Sequence, residues 1–299
     1  MAVIPRFGAI ILCGGQSRRM GFSKALLPFG KKTMIENAID ILGQIASEIV
    51  VVASPDQILP ELGSIIRIVR DPIAYQGPLT GMQSGLMHIS DQIDSVFITA
   101  TDSPLLKPEL IHHLSNQSKN FDLVMPFDGK YYYPLTSVYK VKPVLEKVNQ
   151  LIREDRHRPF FLMEALDSKT IHVNELKEFD PNLDSFRNIN TPVDYRNILQ
   201  TTNLPIPEEF RAPAIHIEFY GVPRLITKVA HATLEAENLA ELISELCRNF
   251  PELKGAVIMN ESLHPAYRFM RGTSEFLMDL QAPLVANDKI LILAVDAGG

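Results

Sequence analysis

Leu12-Cys13-Gly14-Gly15-Gln16-Ser17-Arg18-Arg19-Met20-Gly21-Phe22-Ser23-Lys24 is the stretch on which the reading of this chain turns. Ahead of it, Ala9, Ile10, Ile11 and Leu12 are continuously apolar without alternation, as a central parallel strand covered on both faces requires. Gly14 and Gly15 end that strand, and without Cβ atoms the backbone there can turn sharply and bring N–H groups up to anionic oxygens. Arg18, Arg19 and Lys24 follow within a turn or two, a charge density that would offset a triphosphate. Two better-known phosphate loops fail on the same letters. The dinucleotide fingerprint needs G-x-G-x-x-G, whereas these glycines are adjacent, and the P-loop needs Lys-Ser/Thr after its second glycine, whereas Phe22 follows Gly21.

Outward from the loop, Met34, Ile35, Ala38, Ile39, Leu42 and Ile45 recur at helical spacing. Further strands are expected at 49–52, 65–69 and 96–99, with a helix opening at Gly77-Pro78-Leu79-Thr80-Gly81. Strands alternating with helices at this length predict an α/β fold with a doubly wound, mostly parallel sheet, whose ligands gather at the carboxyl ends of the strands. Gly14-Gly15, Asp71 and Asp102 all follow such ends.

A length of 299 residues leaves room for two domains, and 46% hydrophobic with 21% charged residues is ordinary for a globular chain. A net charge of -6 argues against a general nucleic-acid or anionic-membrane binder, so the basic cluster is a local site. Two cysteines, Cys13 and Cys247, point to a reducing compartment, and no zinc-type spacing is present. The apolar N-terminal stretch is broken by Pro5 and Arg6, and no run of 18 apolar residues occurs; a cytoplasmic protein is expected.

Gly14 to Lys24 resembles the G-G-x-x-x-R-M-x-x-x-K signature of nucleotidyltransferases, most closely the molybdenum cofactor guanylyltransferase family. Gly77 to Gly81 is similar to that family's G-P-L-x-G, Thr101-Asp102-Ser103-Pro104 to its x-D-x-P corner, and Tyr133-Pro134-Leu135 with Tyr139 to its P-L-x-x-x-Y. Phe186-Arg187-Asn188-Ile189-Asn190-Thr191-Pro192 is similar to its F-x-N-I-N-T-P. The resemblance spans about residues 7 to 199 and implies a Mg2+-dependent transfer of GMP from GTP to molybdopterin. It implies nucleotide contacts at Leu12, Cys13, Gly14, Gly15, Lys24, Asp71 and Asp102, with Asp71 at the nucleoside end. Arg18, Lys24 and Asp102 are the implied catalytic groups, Asp102 holding the metal, and Asn188 and Asn190 the acceptor-binding ones. Departures fall at Cys13, where Ala is usual, at Ser23 in place of Asp, and at Ala53-Ser54 where many members have Asn. A cytidylyltransferase for the same cofactor, a sugar-phosphate nucleotidyltransferase and a non-catalytic nucleotide-binding domain stay open as alternatives.

The nucleotidyltransferase domain is expected over 1–200 and an extended, proline-bearing linker over 201–213. From 214 to 299 the pattern changes: Ile215, Ile217 and Phe219 alternate, Gly221 turns, and 225–229 reads as the returning strand of a hairpin. A helix capped by Asn238 and strands at 256–259 and 289–295 follow. Such a span suggests a small α+β ubiquitin-like β-grasp domain, and the ending Val295-Asp296-Ala297-Gly298-Gly299 resembles the small subunit of molybdopterin synthase. That resemblance implies a sulfur-carrier tail at Gly298 and Gly299, with an adenylating enzyme and the synthase large subunit as partners; the thiamin-type carrier shares the same features.

Overall fold

A computed structural model describes residues 7–15, 19–63, 66–71 and 77–295, and the chain falls into two compact units, Met1–Pro205 and Ile206–Gly299. In the first unit the strand preceding the glycine loop, β1 (Phe7–Leu12), lies inside a seven-stranded sheet. Its neighbours are β2 (Glu48–Ala53) and β4 (Ser95–Ala100), both parallel, and β3 (Arg67–Arg70) adds to β2 in parallel. On the other side β6 (Thr136–Lys140) runs antiparallel to β4 and to β5 (Leu123–Phe127), and β7 (Ser168–His172) pairs with β5 in parallel. The order is β3-β2-β1-β4-β6-β5-β7, a mixed α/β unit whose central sheet is mostly parallel.

The unbroken apolar run of β1 is explained by what covers it. Ala9 and Ile11 belong to one buried cluster and Ile10 to a second on the opposite face. The first face is closed by α1 (Met34–Leu42) and α3 (Pro108–Gln117), the second by α2 (Pro78–His88) and α4 (Val141–Arg153). Helix α1 starts at a reciprocal capping box between Thr33 and Glu36, and buries Met34, Ile35, Ala38 and Leu42. Helix α2 starts at Gly77, whose φ of 97° suits glycine, followed by Pro78 in the first turn. At Gly85 a Cβ would come within 2.5 Å of Ile10 Cγ2, so the missing side chain sets how closely α2 approaches β1. Among the described residues no helix is long and apolar enough to cross a membrane.

Over 201–213 the chain is more structured than an extended linker. Helix α5 (Pro192–Thr201) takes in Thr201, and Glu208–Phe210 forms a helical turn with Phe210 and Ala212 buried. Apolar side chains at these two positions give the segment something to bury, which its prolines alone do not reveal.

The second unit holds β8 (Ala214–Phe219), α6 (Val222–Thr227), β9 (His231–Glu235), α7 (Leu239–Asn249), β10 (Tyr267–Arg271), β11 (Glu275–Leu277) and β12 (Lys289–Ala294). Its sheet has the order β9-β8-β12-β10-β11, with β8 and β12 parallel at the centre and the other pairs antiparallel. The expected hairpin strand at 225–229 is corrected to a helical turn. Pro223 opens it and Lys228 closes it in the left-handed region; Leu225 is 76% exposed while the adjacent Ile226 and Thr227 both turn inward, a spacing that suits a helical turn and not an alternating strand. The partner of β8 is instead β9, and its register places Ile217 opposite Ala232. Likewise only Ile258–Met259 of the expected 256–259 strand pairs, with Ser262–Leu263. Asn238 does cap α7, its side chain accepting from Glu241 N. Gly298 and Gly299 lie outside the described residues.

Candidate active site

The register of β1 decides what meets at the carboxyl edge. Leu12 pairs with both Val52 and Ala100, and Ala53 pairs with Arg70. Cys13–Gly15, Ser54, Asp71 and Thr101–Asp102 therefore leave the sheet side by side. Backbone bonds continue the ladder past its end: Cys13 N donates to Val52 O at 2.8 Å, Asp71 N to Ala53 O at 2.8 Å and Thr101 N to Leu12 O at 3.3 Å. The result is a cavity of about 470 Å3 that Leu12, Cys13, Gly14, Gly15, Lys24, Asp71 and Asp102 all line, a size suited to a small-molecule ligand. Arg18 lies outside the described residues; the arginine of the loop signature falls on Arg19, which is exposed.

Lys24 is brought back to the edge by the helical turn Lys24–Leu26, whose Ala25 and following Leu27 are buried. Its ammonium donates to Asp102 Oδ2 at 3.0 Å and to Asn190 Oδ1 at 3.0 Å, joining three residues 78 and 166 positions apart. Asn190 is delivered by a strap that precedes α5. Thr191 and Asp194 form a capping box, and the Asp194 carboxylate also accepts from Asn190 N at 2.9 Å. Buried Ile189 donates its N–H to Asp102 O at 2.8 Å, and Asn188 Oδ1 accepts from Ser103 Oγ at 2.9 Å. Upstream, fully buried Asp180 accepts from Asp184 N at 3.0 Å and Ser185 N at 2.7 Å, and Ser185 Oγ accepts from Lys107 N. Asp180 thus fastens the strap that carries Asn188 and Asn190.

Opposite Lys24 the wall is Ser54 and Asp71. A Cβ on Gly14 would stand 3.0 Å from Ser54 Oγ, so any side chain there would crowd the Ser54 hydroxyl where the two loops meet. Gln57 braces them, accepting from Ser54 N and donating to Cys13 O, both at 3.2 Å, while Arg70 donates to Ser54 O at 3.0 Å. Asp71 Oδ1 accepts from Ser84 Oγ at 3.1 Å, which orients the carboxylate from α2. Burial pushes the Cys13 thiol far up, with Arg70 opposing it only in part, so the sulfur is a packed neutral group and not a nucleophile.

Ser84, Gln57 and Asp180 carry no sequence signal that marks them as site residues, since each acts by bracing another residue, whereas Ser54 stands at the departure from the family pattern noted above. As a metal site the cavity is sparse: among the described residues no three His, Cys, Asp or Glu converge. One carboxylate, Asp102, with the Asn190 amide oxygen fits Mg2+, which takes one or two protein oxygens and completes its shell with phosphate and water. It does not fit an ion caged by protein alone.

The model of the MobA-like NTP transferase domain matches residues 9–169. A probable molybdenum cofactor guanylyltransferase of Mycobacterium avium (strain 104) is 35% identical over 206 residues, covering 67% of this chain and 98% of that protein. One from Methanosarcina mazei is 32% identical over 203 residues, covering 64% and 89%. Among solved structures, molybdopterin-guanine dinucleotide biosynthesis protein A from Archaeoglobus fulgidus aligns with a TM-score of 0.55 at 23% identity, over 66% of this chain and 98% of that one. A 4-diphosphocytidyl-2C-methyl-D-erythritol synthase from Anaerococcus prevotii aligns at 0.52 and 16%, over 67% and 100%. At these identities the structural likenesses speak for the fold alone.

Proposed function

The chain belongs to the MobA-like NTP transferase family and is a nucleotidyltransferase, and from that premise we propose that it transfers GMP from GTP to the phosphate of molybdopterin, releasing pyrophosphate. The observation that carries this reading is the Lys24 ammonium held between Asp102 and Asn190 inside a cavity at the carboxyl edge. Such a transfer asks little of a protein beyond positioning and charge. An oxygen of the acceptor phosphate forms a bond to the α-phosphorus of GTP while the bond from that phosphorus to the bridging oxygen of the β-phosphate breaks. Asp102 and Asn190 would hold Mg2+, which neutralises charge on the nucleotide phosphates when bound. Gly14 and Gly15 admit those phosphates closely, and Lys24, with the cations of Arg18 and Arg19, stabilises the departing pyrophosphate. Asn188 and Asn190 orient the acceptor phosphate.

Asp71 supports guanine at the nucleoside end. A carboxylate accepts N–H donors, and guanine offers the adjacent N1–H and N2 amino group, whereas the pairing edge of cytosine offers only its N4 amino group. The test is competition: purified protein with molybdopterin, Mg2+ and equimolar GTP and CTP. A guanine dinucleotide supports the reading; a cytosine dinucleotide, or reaction only with sugar phosphates, overturns it. Turnover by residues 1–200 alone separates catalysis from a docking role.

For the second unit, a ubiquitin-like β-grasp carrier is the proposed reading. The order β9-β8-β12-β10-β11, with the first and last strands of the unit parallel at the centre and α7 supplying the apolar face, supports it. In that reading Gly299 receives sulfur as a thiocarboxylate after adenylation, for use by the synthase large subunit. Intact mass spectrometry after incubation with an adenylating enzyme and a sulfur donor tests it. Sulfur-for-oxygen exchange, lost on deleting Gly299, supports the carrier; no exchange in the full chain overturns it.

A further inference from the structure

We propose that Tyr132 and Phe160 form the subsite for the planar fused ring of the acceptor, an inference that rests on the reaction proposed above and assigns the half of the substrate pair that the cavity does not enclose. The strand order separates the two halves. Asp102 follows β4; the nucleoside wall at Ser54 and Asp71 lies towards β2 and β3, and β6 and β5 lie on the opposite side. Because β5 runs parallel to β1, it ends at the same carboxyl edge, at Phe127, two strands beyond β4. At a strand spacing of about 4.8 Å, that end is roughly 10 Å from Asp102, the reach of a fused heterocycle whose short side chain carries the reacting phosphate.

What stands at that end is a rigid aromatic surface. Phe127 and Tyr132 pair across a tight turn with ring centroids 4.5 Å apart, and Phe160 meets Tyr132 at 5.3 Å, tilted by 56°. Asp128 ties the turn, accepting from Lys130 N at 2.8 Å, Tyr131 N at 2.7 Å and Tyr133 Oη at 2.8 Å. A ring binding here meets a surface already ordered, so little entropy is lost. Tyr132 packs on the same buried cluster as Leu135, which lines the reaction cavity together with Gly77, and the carbonyl of His157 lies 3.9 Å from where a Cβ of Gly77 would stand. The loop leading to Phe160 therefore borders the cavity wall, and Phe160 itself is 42% exposed. Tyr132 is backed on one side by Phe127 and touched by Phe160, so the open surface is the exposed side of the Phe160 ring, on which a flat heterocycle can stack with offset geometry.

Steady-state kinetics on the full chain with GTP, Mg2+ and molybdopterin test this. Phe160→Ala is expected to raise the KM for molybdopterin about tenfold, the loss of one stacked ring, while the KM for GTP stays within about twofold. Phe160→Tyr is expected to restore the wild-type KM, which a merely structural role at an exposed position would not require. An unmoved molybdopterin KM in Phe160→Ala, or an equal rise in the KM for GTP, overturns the subsite while leaving the reaction intact. Wild-type protein that binds GTP yet forms no dinucleotide with molybdopterin overturns the underlying reading first, before any variant is compared.

Discussion

Replacing Asp102 by Asn keeps the shape and an amide oxygen for Lys24 but removes the charge, and so separates stability from chemistry. The pair is partly buried, with side chains 15% and 21% exposed and 3.0 Å between Nζ and Oδ2. Coulomb attraction at that distance with an effective dielectric near 20 is about 5 to 6 kcal/mol gross. Desolvation and the ordering of a long lysine side chain offset most of it, and partly exposed pairs leave about 1 kcal/mol net. For a unit of this size that is a fall of about 2–4 °C in Tm. Catalysis should fall far more. A metal-bridged phosphate contact is worth several kcal/mol, so kcat/KM for dinucleotide formation should drop by about a thousandfold. The assay is pyrophosphate release at saturating molybdopterin beside a thermal melt of the same preparation. If Asp102→Asn retains more than about a tenth of wild-type kcat/KM, or if Tm falls steeply while turnover per folded molecule persists, Asp102 is a structural partner of Lys24 and the catalytic assignment fails.

Three other outcomes are expected. Gly85→Ala forces a Cβ to within 2.5 Å of Ile10 Cγ2, and overpacking of that kind should cost about 1–3 kcal/mol in denaturant unfolding; an unchanged midpoint would mean that α2 moves away freely. Asp180→Ala leaves the N–H groups of Asp184 and Ser185 without their carboxylate, at about 1–3 kcal/mol, and by loosening the strap should raise the KM for molybdopterin more than that for GTP. The buried Cys13 thiol binds its proton more tightly folded than unfolded. Its stabilising contribution is therefore complete below an unfolded thiol pKa of about 8.5 and declines as pH rises above it, so unfolding midpoints should fall with pH there, less so in Cys13→Ala. Native alkylation at pH 8 should spare Cys13; rapid labelling would contradict its burial.

Local patterns in the first unit were legible because each is stated by neighbouring residues. The apolar run of β1 and the helical spacing of α1 need no distant partner to be read. The second unit was harder. Its β8 was visible from alternation, but the apolar letters of 225–229 belong to a helical turn that exposes Leu225 and packs Ile226 on the core, and β10 and β11, though punctuated by Pro265 and Gly272-Thr273-Ser274, were not among the expected strands. Strand identity there depends on which segment finds the sheet, and β10 is defined by its register with β12. At the site, the placement of Cys13, Gly14, Gly15, Asp71 and Asp102 at one edge follows from their shared position after parallel strands, a rule that sequence can apply.

What sequence determined by itself was chemistry of types: glycines where backbone must approach phosphate, a lysine and carboxylates at strand ends, and a strap with two asparagines. Sequence could not show that Asp102 and Asn190 share the Lys24 ammonium, that Asp180 anchors the strap from within the core, or that the rings of Phe127, Tyr132 and Phe160 pack together. The physical reason is separation. Local propensity and periodicity act over one or two turns of chain, whereas these groups meet only after parallel crossovers and a register shared across seven strands have brought residues more than 150 positions apart within hydrogen-bonding distance.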